Sequence, residues 1–153
     1  MSKITKSDHY FGTVLSALVR NKRVPALIEN TDDRQILECT TDSSEFVMLI
    51  KYRAKKSSSR SDCSSWNFSL SNDIEKIKVY RDSNKKFVLA LVCGSENFNE
   101  SQLAFLDCKQ IDELISMGKM SFTISHQKGK RYYSIKTNKN PILVKYNSTS
   151  YLC

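Results

Sequence analysis

The run Lys86 to Cys93, KFVLALVC, constrains the fold of this chain more than any other segment. A short apolar run closed by Gly94 and a polar turn reads as a strand buried inside a sheet. A second run, Phe46 to Ile50 (FVMLI), has the character of a central strand covered on both faces, and Lys51 and Arg53 bring charge to its end. Around these two strands the chain reads as an α+β protein with a mixed central sheet and flanking helices.

The helix nearest the amino terminus is expected to start at Ser7 or Asp8, with Tyr10, Phe11, Val14, Leu15 and Leu18 at helical spacing, and to stop before Pro25. Its apolar face should pack on the sheet. Strands are predicted over Ala26 to Glu29, Arg34 to Thr40 and Phe46 to Arg53, separated by the turn residues Asn30 to Asp33 and Asp42 to Ser44, which makes an antiparallel meander. Lys55 to Ser65 (KKSSSRSDCSS) is small, polar and basic, the composition of a mobile loop.

Trp66 to Leu70 reads as a short strand or an ordered loop entry, Ser71-Asn72-Asp73 as a cap, and Ile74, Ile77 and Tyr80 as the inner positions of a helix. A strand over Gln102 to Leu106 precedes a helix capped by Asp107, with Ile111, Leu114 and Ile115 inward and Gly118 at its end. The tail reads as a hairpin, Met120 to His126 against Arg131 to Lys136, with one more strand over Ile142 to Tyr146. The whole chain is expected to be one domain, with residues 119–153 as a basic C-terminal β extension.

The net charge of +8 is unevenly placed. From Leu114 to Cys153 there are seven Lys/Arg and no Asp or Glu, whereas the first 113 residues hold 17 basic and 16 acidic side chains, a net of +1. Such asymmetry is the footprint of a polyanion partner, and nucleic acid, DNA foremost, is the first expectation. An acidic protein partner is the alternative, in which the chain is a small regulator or inhibitor using its basic face. The candidate phosphate contacts are Lys51, Arg53, Lys55, Lys56, Arg60, Lys128, Lys130, Arg131 and Lys136. Tyr52, Trp66, Tyr132, Tyr133, Tyr146 and Tyr151 are the rings available for stacking on bases, and packing is the competing role for each.

Five widely spaced cysteines without a CxxC or a Cys/His cluster read as free thiols. The amino terminus lacks the apolar segment of a secretory signal, and no apolar stretch approaches the roughly 18 residues that cross a bilayer, so no membrane partner and a cytoplasmic location are expected. Phosphate-cradling glycine loops, HExxH and nucleophile-elbow motifs are absent from the sequence. The two histidines, His9 and His126, have no recognisable partner in sequence.

The succession helix, three-stranded meander, helix, strand over residues 8 to 93 is similar to the common core of the PD-(D/E)XK nuclease-like superfamily. In that family an acidic residue near the second core strand and an acidic-x-Lys motif on the third hold Mg²⁺ and the attacking water. Asp33 opens the second strand here, and FVMLIKYR places Lys51 where the motif lysine falls. Leu49 stands at the acidic position and supplies no ligand. The resemblance therefore implies a scaffold that has lost its ordinary metal site. A rearranged Mg²⁺-dependent site would combine Asp33, Glu38 and Lys51, with Asp73 or Glu75 from the following helix as the other replacements. No cofactor is expected otherwise.

Overall fold

The computed structural model describes residues 6–20, 24–30, 34–40, 45–53, 56, 58–60, 62–83, 86–95, 102–118, 120–137 and 140–145. The protein is α+β. Helix α1 (Lys6–Arg20) leads into strands β1 (Val24–Asn30), β2 (Gln35–Thr40) and β3 (Glu45–Arg53). Next come β4 (Ser58–Arg60), β5 (Cys63–Ser69), α2 (Ile74–Asp82), β6 (Lys86–Cys93), β7 (Gln102–Leu106) and α3 (Cys108–Ser116). The chain closes with β8 (Ser121–Gln127), β9 (Tyr132–Ile135) and β10 (Ile142–Lys145).

Two sheets result. The first runs β1-β2-β3-β6-β7, and β3 and β6 pair in parallel while its other pairs are antiparallel. The second, β10-β9-β8-β5-β4, is antiparallel throughout. Pro25 lies on the edge strand β1, where a missing N–H interrupts no ladder between two neighbours.

Side-chain alternation divides the interior in two. From β3 and β6, Phe46, Met48, Ile50, Val88, Ala90 and Val92 meet Tyr10, Phe11, Val14 and Leu18 of α1. The opposite face sends Val47, Leu49, Phe87, Leu89, Leu91 and Cys93 against α2, α3 and the inner face of the second sheet. This is why FVMLI and, after the exposed Lys86, FVLALVC are apolar at every position. The C-terminal strands are no appendage: Phe122, Ile124, Tyr133, Ile135, Ile142 and Val144 belong to the same core cluster as Trp66 and Leu89.

The segment read as a mobile loop needs correction. Ser58–Arg60 and the start of β5 form a hairpin, with Ser58 opposite Ser65 and Arg60 opposite Cys63. Serine runs have low strand propensity, but Trp66 and Phe68 anchor β5 in the core while Asn67 and Ser69 point outward. The sheet is selected by those two apolar residues and by β8.

The expected cap and stop of α3 are present: Asp107 caps the helix, in a reciprocal box with Gln110, and Gly118, at φ 68°, follows it in the left-handed conformation. Gly129, at φ 86°, allows the β8–β9 turn, closed by Lys130 N–H donating to the Gln127 carbonyl. Among the described residues, no helix is long and apolar enough to cross a membrane.

Candidate functional site

Gln35 of β2 pairs with Ile50 of β3, so one step outward the register sets Arg34 opposite Lys51, on the face that carries Ile36 and Leu49. Asp73 stands at the start of α2 and meets both. Arg34 Nη1 donates to Asp73 Oδ1 at 2.7 Å and Lys51 Nζ donates to Oδ2 at 2.6 Å. The same two cations reach the chain entering α2: Arg34 donates to the Asn72 carbonyl at 3.0 Å and Lys51 to the Ser69 carbonyl at 2.6 Å.

Asp73 is 1% exposed, against 17% for Arg34 and 15% for Lys51. A carboxylate that deep is tolerated only when paired and hydrogen-bonded. The helix N-terminus adds favourable positive potential. Asp73 occupies the cap position of α2, as the sequence suggests, yet its side chain makes no capping hydrogen bond because both oxygens face the cations. Two positive groups on one carboxylate leave the cluster with a net charge of +1.

Of the residues expected at a rearranged metal site, Lys51 and Asp73 meet at this point, and the other described ones do not join them. Glu38 pairs with Val47, four residues along β3 from Lys51, which is about 13 Å at the rise of a strand. Leu49 is 1% exposed and packed in the core, and Glu75 is exposed on α2. Asp33 lies outside the described residues. Among the described residues, no group of three or more His, Cys, Asp or Glu is placed to hold a metal ion.

The cations expected to touch phosphate fall into two regions. Lys128, Lys130 and Arg131 are exposed at the β8–β9 turn, and Lys136 is exposed just past β9. Lys128 N–H donates to the Asp62 carbonyl at 2.7 Å, which ties this turn to the β4–β5 turn, where Asp62 is exposed. His126 joins the same turn through a 2.9 Å hydrogen bond between Nε2 and the Lys130 carbonyl. Arg53, exposed at the end of β3, belongs to the second region, and Lys56 is exposed beyond it. Arg60 lies in β4 opposite Cys63, and Lys55 lies outside the described residues.

Arg53 borders a cleft of about 450 Å³ lined also by Asn67, Ser69, Ser121 and Thr123, with Phe68 and Phe122 beneath. Thr123 Oγ1 donates to Asn67 Oδ1 at 2.6 Å, and the two phenyl rings stack at 6.1 Å. Its hydrogen-bonding groups are all uncharged apart from the guanidinium.

Of the rings considered for stacking, Trp66 and Tyr133 are wholly buried, and Tyr52 stacks on Tyr10 at 4.9 Å. Tyr132 is 40% exposed, while Tyr146 and Tyr151 lie outside the described residues. Cys39, Cys63, Cys93 and Cys108 are free thiols. Sequence reading singled out Lys51 and named Asp73, but it took Arg34 for the first residue of a strand. The outward row of hydroxyl and amide groups on β5 and β8 escaped it, because each looks like ordinary polar alternation until the strands are paired.

Comparison with family models, curated proteins and solved structures returns no match to this chain.

Proposed function

We propose that this protein binds nucleic acid, DNA foremost, on a nuclease-like scaffold that has lost catalysis. One observation carries this reading: Lys128, Lys130, Arg131 and Lys136 are all exposed on one hairpin of a segment without acidic residues. Phosphate binding needs cations that remain accessible, and four grouped this way supply a salt-sensitive, sequence-independent affinity.

Support for lost catalysis comes from the centre of the molecule. The buried Leu49 offers no ligand at the motif position, and Lys51 is paired with a carboxylate that Arg34 also neutralises. Lys51 thus fastens the β5–α2 connection to the first sheet.

An acidic protein partner is the second reading, favoured by Leu143, which is 52% exposed, and Tyr132 on the strands that carry the cations. Exposed apolar groups among charges suit a protein interface. Anisotropy titration at low salt against single-stranded DNA, duplex DNA and RNA separates the two. Binding that declines steeply with salt supports the nucleic-acid reading, and absence of binding to all three rejects it.

A further inference from the structure

The second sheet buries one face, and on its other face Asn67, Ser69, Ser121 and Tyr132 are exposed. Trp66, Phe68, Phe122, Ile124, Tyr133 and Ile135 point inward, so the alternation turns the intervening residues of β5, β8 and β9 outward. Register arranges these in rows. Ser69 stands opposite Ser121, Asn67 opposite Thr123, and Ser65, Ser125 and Ser134 form a third row. None of the outward positions on these three strands is acidic, and the rows consist of hydroxyl and amide groups. Arg53 closes the Ser69–Ser121 end, where the cleft lies, and Lys128, Lys130 and Arg131 close the other.

We propose that a single-stranded segment of nucleic acid lies across this outer face, with a phosphate in the Arg53 cleft and the strand running to the hairpin tip. The inference rests on the nucleic-acid reading above and specifies its ligand and path. Between the two cationic ends the face offers donors and acceptors without charge. Base edges, which are free in a single strand and already paired in a duplex, match such groups. Duplex DNA would instead need cations along its whole contact. Tyr132, exposed beside the tip, supplies a ring for stacking. From Ser69 to Cys63 the strand spans six steps, about 20 Å, a length suited to the short sites of about 4–16 nucleotides seen on other sheet-based single-strand binders.

The test is anisotropy of the full chain with a fluorescent single strand of about 12 nucleotides and with the same sequence as a duplex. Three variants accompany the wild type: Arg53→Gln, Ser121→Glu, and Lys78→Glu on the exposed surface of α2, which makes twice the charge change of either at a separate place. Each is exposed, and circular dichroism verifies the fold. The single strand should bind more tightly than the duplex. Arg53→Gln and Ser121→Glu should each weaken single-strand binding about ten-fold, the worth of one charge-assisted contact, and Lys78→Glu should weaken it far less. Preference for the duplex, or unchanged affinity in both cleft variants, would overturn this path and leave nucleic-acid binding standing. No binding of the wild type to the single strand, the duplex or RNA would remove both.

Discussion

Lys51 on β3 and Asp73 at the start of α2 are joined by a 2.6 Å ion pair, and the carboxylate it engages is almost wholly withdrawn from solvent. Removing the charge of Asp73 leaves Lys51 and Arg34 facing each other with little water. Asp73→Asn is therefore expected to destabilise the fold by about 3 kcal/mol, toward the low end for a broken buried pair because both cations keep some exposure. Lys51→Met should cost less, since Arg34 still serves the carboxylate. Urea unfolding of the two single variants and the double variant gives the coupling, expected at about 1 kcal/mol or more. Additive effects would show that the pair does not hold the β5–α2 connection in place.

Alkaline pH should weaken the protein. Burial drives the Cys93 thiol far above its ordinary value of 9.0, and burial followed by the nearby Tyr52 phenol raises Tyr10 above 10.0. The native state keeps these protons after the unfolded chain has released them, so stability falls as pH rises. The contribution is complete below pH 9.0, declines above it through Cys93, and declines further above 10.0 as Tyr10 joins. One retained proton corresponds to about 1.4 kcal/mol per pH unit. Cys93→Ala should flatten the first part of the decline while lowering stability at neutral pH through its cavity. An unchanged slope in that variant would assign the alkaline loss elsewhere.

Trp66 is the one tryptophan, and its buried Nε1 donates to the Gly94 carbonyl at 2.7 Å. Native fluorescence should accordingly be blue-shifted and resistant to iodide. Trp66→Phe leaves that carbonyl without its donor and should cost about 1–3 kcal/mol for the unmet acceptor, before any loss of packing. Iodide quenching of the native protein as strong as in urea would contradict the burial.

The fold was legible where local chemistry and packing agree. FVMLI and KFVLALVC announce buried strands, and Asp107 marks a helix start, which the structure completes as a capping box with Gln110. The second sheet was only half legible. Its C-terminal hairpin shows in the glycine turn, but β5 joins it by pairing with β8 and brings β4 along, and Ser65 reaches Ser125 across sixty residues of chain that carry no mark of the contact. The ion-pair cluster was hidden for the same reason: Arg34, Lys51 and Asp73 lie far apart in sequence and meet only through the β2–β3 register and the position of α2. A lone aspartate before a helix reads as a cap, and only burial reveals that its oxygens serve another purpose.

The most direct test of nucleic-acid binding is the salt dependence of affinity before and after reversing the hairpin charges. With single-stranded ligand, log K should fall linearly with log salt, and each lost phosphate contact should make the slope shallower by about 0.7. Lys128→Glu, Lys130→Glu and Arg131→Glu combined, with the fold confirmed by circular dichroism, should abolish binding at moderate salt and flatten the remaining dependence by about 2. These residues are exposed at a turn, so the core is untouched. Wild-type affinity and slope in the folded triple variant would contradict the assignment of the hairpin as the nucleic-acid surface.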